Sequence, residues 1–198
     1  MIKCIIFDNG GVLSTTSSRF FIPKFRKYTK KSLDTLMKSY WEMAYPLDTG
    51  KESEVDFYKK YSNHMALKTP IKNIVRIRRS TIRPVKGTIH LLKKLKKKYR
   101  LAMLNNEYKE CMSYLLKKYP YFRYFKTRIT SSDVGCRKPD KRIYQLMLKK
   151  LKLKPSECLF IDDLHMNIAA AKKLGINAIL FRNVAQLKND LKLYGIDA

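Results

Sequence analysis

The chain has 198 residues, 45% of them apolar, and 43 Lys and Arg against 16 Asp and Glu, a formal charge of +27. That length allows one packed core with an insertion and needs no disulfide staples. No stretch approaches the roughly 20 apolar residues that span a bilayer, and the opening MIKCIIFDNGG is too briefly apolar for a signal sequence, so a soluble cytoplasmic protein without a membrane partner is expected.

In chain order, Ile2 to Phe7 predicts a strand, apolar apart from Lys3, as suits a strand buried on both faces of a parallel sheet. From about Ser17 to Ser80 the pattern turns helical. Leu33, Leu36, Met37, Tyr40, Trp41 and Ala44 follow a 3.6-residue period. Ser53, with Glu54 and Asp56 behind it, can cap a helix running through Tyr61. Pro70 can open another. After Pro84 strand and helix alternate. Helix Val85 to Lys98 leads to strand Leu101 to Leu104, then helix Glu107 to Lys118 to a short strand within Phe125 to Thr130. Helix Lys141 to Leu151 leads to strand Cys158 to Ile161. Helix Asn167 to Leu174, closed by Gly175, leads to strand Ala178 to Phe181 and a last helix. The expected fold is α/β: a Rossmann-like parallel sheet core (residues 1–16 and 81–198) with an all-helical cap (residues 17–80) inserted after the first strand.

In such sheets ligands bind beyond the carboxyl ends of the strands, and the polar clusters of this chain fall there. Asp8 follows the first strand in FDNGGVL, with Gly10 and Gly11 shaping a turn whose backbone can approach a ligand. A plain turn after a strand reads equally well. Asp162 and Asp163 follow another buried strand in LFIDDLHMN. Adjacent carboxylates at a buried strand end repel and lose solvation, so a cation between them and Asp8 is expected, and Mg²⁺ suits a site of few carboxylates, substrate oxygens and water. Lys138 lies in SSDVGCRKPDKRIY, one lysine among many. Asn105 and Asn106 follow the strand LAML, placed to donate to a phosphoryl oxygen or to cap the next helix. The cysteines Cys4, Cys111, Cys136 and Cys158 form no C-x-x-C pair and read as reduced thiols. The lysine excess is spread along the chain, as in the amphipathic LKKLKKKYR. It reads as surface composition ahead of a nucleic-acid site, for no recognition module is present, although it draws anions toward any cleft.

Together these segments resemble the haloacid dehalogenase superfamily of hydrolases, whose four ordered motifs are a nucleophilic Asp after strand one, a Ser/Thr-type position after strand two, a Lys before a helix and paired acids after strand four. DVGCRKPDKRIYQ and ECLFIDDLHMNIAAAKKLGINAILF look most like the branch containing bacterial glucose-1-phosphatase and the N-terminal phosphatase domain of soluble epoxide hydrolase. The resemblance implies that Asp8 attacks phosphorus to form an aspartyl-phosphate. It implies Mg²⁺ held by Asp8, the Gly10 carbonyl, Asp163 and Asp162, with Lys138 neutralising charge. Asn105, Asn106, Gly10 and Gly11 would border the substrate, and Asn167 would support the acid loop.

Two positions depart from that pattern. Gly10 stands where most family phosphatases carry a second Asp as general acid/base, a loss on the order of 10²–10⁴ in rate, although the branch above also has glycine there. Asn105 stands where the family has Ser or Thr. The reading is a Mg²⁺-dependent phosphatase of lowered turnover acting on a small phosphorylated substrate, as a monomer or homodimer. Hexose phosphates come first; flavin mononucleotide and nucleoside monophosphates come second. Two alternatives stand beside it: a dehalogenase of the same superfamily, and a binding protein with a retired site for nucleic acid or an acidic partner. Arg19, Lys24 and Arg26 are candidates to meet an anionic group, and Tyr40, Met43 and Tyr45 are candidates to line the pocket, although their spacing suits core better.

Overall fold

The computed structural model describes residues 1–197. Five strands form one parallel sheet: β1 (Cys4–Phe7), β2 (Arg100–Asn105), β3 (Thr127–Thr130), β4 (Cys158–Asp162) and β5 (Asn177–Leu180), in the order β3-β2-β1-β4-β5. β1 and β4 are buried along their whole length, the reason their sequences are unbroken apolar runs. The chain builds to one side of β1 through β2 and β3, then crosses to the other through β4 and β5. That reversal opens a crevice at the carboxyl ends of β1 and β4. Phe7 pairs with Met103 and Ile161, and the Asp8 N–H donates to the Ile161 carbonyl at 2.9 Å. Register therefore puts Asp8 beside Asp162.

The insertion contains α1 (Ser18–Phe21), α2 (Leu33–Met43), α3 (Tyr45–Asp48), α4 (Glu54–His64) and α5 (Ile71–Ser80), with a 3₁₀ run over Ile22–Tyr28. Ser32 and Ser53 cap α2 and α4 by accepting from the Thr35 and Asp56 N–H groups, and Pro70 precedes α5. The chain leaves and re-enters the sheet domain through a narrow neck. The Thr15 N–H donates to Arg83 and the Val85 N–H to Leu13. Phe21, Phe25, Tyr40, Phe57, Tyr58 and Tyr61 form an aromatic centre, with Phe57 stacked on Tyr61 at 5.9 Å and edge-on to Tyr40 at 5.5 Å. This centre is continuous with the apolar side chains on one face of the sheet, so the insertion is seated on the core and shares its packing.

The remaining helices are α6 (Lys86–Leu95), α7 (Lys109–Lys118), α8 (Ser131–Val134), α9 (Lys141–Leu151), α10 (His165–Lys173) and α11 (Val184–Lys192). α7 starts two residues later than its periodicity predicts, because the Glu107 N–H donates to Ser131 Oγ and its carboxylate turns inward to Arg78. The third strand loses Phe125, which closes a 3₁₀ turn and packs on Phe7. Trp41 and Leu33, expected on the buried face of α2, are 40% and 38% exposed. Leu33 is the first residue of α2 and Trp41 lies at the edge of its apolar stripe, so neither is fully covered. All four cysteines are buried and unpaired. Among the described residues no helix is long and apolar enough to cross a membrane.

Phe57 has no exposed surface, and Phe57→Ala is expected to cost about 3–5 kcal/mol, read as a lowered urea midpoint.

Candidate active site

The carboxyl end of β1 delivers Asp8 into a loop folded around a buried asparagine. The Asn9 carbonyl accepts from the N–H groups of Leu13 and Ser14, its side-chain oxygen accepts from Ser14 Oγ at 3.1 Å, and its amide donates to Thr16 Oγ1 at 3.2 Å. Gly11 has φ +91°, and a Cβ there would stand 2.1 Å from Asp163 Oδ2. Only glycine lets the two loops close on each other.

Lys138 reaches the same point from the loop between α8 and α9. Its Nζ donates to Asp8 Oδ1 at 2.7 Å, to Asp162 Oδ2 at 2.7 Å and to the Leu104 carbonyl at 2.9 Å. All three ammonium hydrogens are used, and the side chain is 1% exposed. Asp162 also accepts from the Leu164 N–H and from the Asn167 amide. Asp163 Oδ2 lies 2.9 Å from Arg19 Nη1, close enough for an ion pair, yet is buried without an aligned hydrogen-bond donor.

Asp8, Asp162 and Asp163 each present an oxygen within a 4.8 Å cluster. Three carboxylates thus face one buried ammonium and one half-exposed guanidinium. Burial pushes the Asp8 carboxyl up to about 8, with Asp162 and Asp163 adding to the rise and Lys138 opposing it. Burial, then Asp162, raises Asp163 to about 6. A divalent cation fits this donor set. It brings the missing positive charge to two strained carboxylates and a ligand to the orphaned oxygen of Asp163.

The crevice above these groups holds about 80 Å³, far below the ~300–1,000 Å³ of sites for drug-sized ligands. Its floor is Asp8, Gly10, Asn105, Lys138 and Asp163; its far wall is Tyr40, Trp41, Asp48 and Arg78 from the insertion.

Residues 2–175 match the family model of the haloacid dehalogenase-like hydrolases. The chain belongs to that family. Along nearly its whole length it is similar to the D-ribitol-5-phosphate phosphatase of Bacteroides thetaiotaomicron, at 26% identity over 96% of this chain and 97% of the relative. A 70-residue segment is 37% identical to mouse bifunctional epoxide hydrolase 2, covering 35% of this chain and 13% of that much longer protein. Among solved structures, a family enzyme from B. thetaiotaomicron in complex with magnesium and inorganic phosphate superposes with a TM-score of 0.77 at 23% identity, covering 92% of this chain and 95% of that one. L-2-haloacid dehalogenase from Xanthobacter autotrophicus shares the fold with a TM-score of 0.70 at 16% identity, covering 100% and 85%.

Within this family fold the motif residues Asp8, Lys138, Asp162, Asp163 and Asn167 converge. Asn106 lines the crevice and also clamps the backbone of Lys138: its amide donates to the Lys138 carbonyl and its oxygen accepts from the Lys138 N–H, both at 2.9 Å. Gly11 faces Asp163 and Arg19 and is absent from the crevice lining. Asp162 has both oxygens taken by Lys138, Asn167 and the Leu164 N–H, and it is fully buried behind the crevice. Asn105 keeps its expected place, with Met112 Sδ at 3.9 Å as the partner of its amide. Arg26 turns back to the Lys31 carbonyl and Lys24 lines a separate surface groove, so of the three cap cations only Arg19 reaches the site. Tyr40 lines the crevice, whereas Tyr45 is 40% exposed and lies over Arg137. Arg78, Asp48 and Ser18 line the crevice without having been expected there. The available signal for Arg78 is its place four residues after Ile74, on the buried stripe of α5.

In metal-free protein the folded state holds protons on Asp8 and Asp163 that the unfolded chain releases. These two groups therefore contribute stability that is fully present below the ordinary carboxyl value of 3.8 and is lost as pH rises through about 6 for Asp163 and about 8 for Asp8. With a chelator present, Tm should be lower at pH 8 than at pH 5.5, and Mg²⁺ should raise it more at pH 8. Asp163→Asn should flatten the profile. Gly11→Ala should weaken Mg²⁺ binding at least tenfold in isothermal titration, since the new methyl displaces Asp163.

Proposed function

We propose that this protein is a Mg²⁺-dependent phosphatase of small phosphorylated metabolites, with Asp8 as the nucleophile. The observation that carries the reading is the Lys138 ammonium held 2.7 Å from both Asp8 and Asp162, beside an Asp163 whose Oδ2 faces Arg19 but accepts no aligned hydrogen bond. Lys138 keeps Asp8 oriented and lowers the field that the incoming phosphoryl group meets. Asp8, Asp163 and the Gly10 carbonyl hold the magnesium ion, and Asp162 serves chiefly to orient Lys138. Bound magnesium supplies the charge that offsets repulsion between carboxylate and phosphate.

Asp8 oxygen forms a bond to phosphorus as the bond to the leaving oxygen breaks. Water then attacks the aspartyl-phosphate, releasing phosphate and restoring the Asp8 carboxylate. Asn105, whose amide has only a thioether partner, donates to a phosphoryl oxygen. Gly10 offers no acid to the leaving group, and a Cβ there would already be 3.1 Å from Thr16 Oγ1. Protonation of the leaving oxygen therefore falls to water, and turnover is slowed most for poor leaving groups.

The near full-length similarity to a D-ribitol-5-phosphate phosphatase supports a sugar or polyol phosphate ahead of a nucleotide. A haloacid substrate fits poorly, since its carboxylate would enter beside three others. A retired binding site fits poorly too, for the nucleophile, the lysine and the acids are all in place.

A panel of phosphorylated metabolites with Mg²⁺ should show phosphate release that ends on chelation and in Asp8→Asn. Lys138→Met should cost about 10²–10³ in kcat. Phosphate release that survives in Asp8→Asn overturns the assignment of the nucleophile.

A further inference from the structure

Arg78 is 2% exposed and lines the crevice from the insertion side. Its Nη2 donates to both Glu107 oxygens at 3.1 Å, while its Nε and Nη1 are buried without a partner. An unpaired buried donor is costly and rare. The guanidinium lies over Phe21 at 4.5 Å and Tyr108 at 5.7 Å, which fixes its plane. The Ser18 hydroxyl, also lining the crevice and 6% exposed, is a second buried group without a partner. Asp48 completes the wall, its carboxylate 2.7 Å from Arg137.

Every charge on this wall is paired: Arg78 with Glu107, Asp48 with Arg137. What stays free is hydrogen-bonding capacity, namely two donors on Arg78, a hydroxyl on Ser18 and acceptor lone pairs on Asp48. A carboxylate or second phosphate entering here would find no uncompensated cation. Adjacent hydroxyls, each both donor and acceptor, would satisfy donors and acceptors together.

Resting on the phosphatase reading above, we infer that Arg78, Ser18 and Asp48 form the subsite for the leaving group, and that it selects a neutral polyhydroxyl chain over a second anionic group. The substrate class is a polyol or sugar monophosphate. Binding through the Arg78 donors should contribute about tenfold to a hundredfold, the range for hydrogen bonds to a charged group.

The test compares three alkyl esters with Mg²⁺, so that leaving-group basicity is matched: a pentitol 5-phosphate, the corresponding bisphosphate and n-pentyl phosphate, which carries no hydroxyls. Wild type should show its highest kcat/KM on the pentitol monophosphate. Arg78→Lys keeps the charge beside Glu107 but loses the fixed fork. It should raise KM for the pentitol ester, with a loss in kcat/KM at least tenfold larger than its loss on n-pentyl phosphate. The double variant Arg78→Met with Glu107→Gln leaves no buried charge unpaired and should show the same selective loss. A wild type that prefers the bisphosphate or n-pentyl phosphate, or variants that lose equally on the two monoesters, overturns the inference and leaves the phosphatase reading standing. A wild type that turns over none of the three overturns the inference, and the phosphatase reading falls with it only if the wider metabolite panel also yields no phosphate.

Discussion

A single buried ammonium holds the site together. Lys138 has no hydrogen left for solvent and touches the carboxyl ends of three strands: Asp8 after β1, Leu104 in β2 and Asp162 at the end of β4. Taking one such charge out of water is costly, and the cost is met only when every partner is in place. The surroundings serve that condition. Asn106 clamps the lysine's backbone, Asn167 holds Asp162, and the register of β1 against β4 sets the two carboxylates side by side. The site is thus rigid on its core side and chemically biased toward more positive charge than the protein itself supplies.

The opposite wall obeys a different rule. The insertion is joined to the sheet domain by a two-segment neck, yet its aromatic centre runs into the sheet's own apolar face. Side chains from far apart in the chain therefore meet over Asp8: Arg19 at the start of the insertion, Asp48 at the end of α3 and Arg78 near the end of α5. The core wall carries uncompensated carboxylates; the insertion wall carries paired charges and free hydrogen bonds. In the proposed reading the first wall takes a phosphoryl group only once a divalent cation offsets its carboxylates, and the second takes a hydroxylated chain.

The sheet was legible in the sequence because buried parallel strands have nothing but apolar residues to show. CIIF, LAML and CLFI each appeared as a strand within one or two residues of its final bounds. The motif residues were legible because acids are scarce in so basic a chain and these fall at strand ends. Where expectation and structure part, a long-range contact intervened. Glu107 left its helix to meet Arg78, and Asn106, at the crevice, also holds the Lys138 backbone. No pattern of local spacing records such partners.

Periodicity and the order of strands and helices by themselves determined an α/β core, a helical insertion after β1 and a set of polar groups at the strand ends, because each depends on residues near one another in the chain. Only the tertiary structure decided which acids keep a free oxygen, that Asp162 serves the lysine while Asp163 faces the crevice, and that Arg78 lines the crevice with two buried donors unpaired. Those outcomes depend on which distant groups exclude water from one another, and exclusion of water is a property of the packed molecule alone.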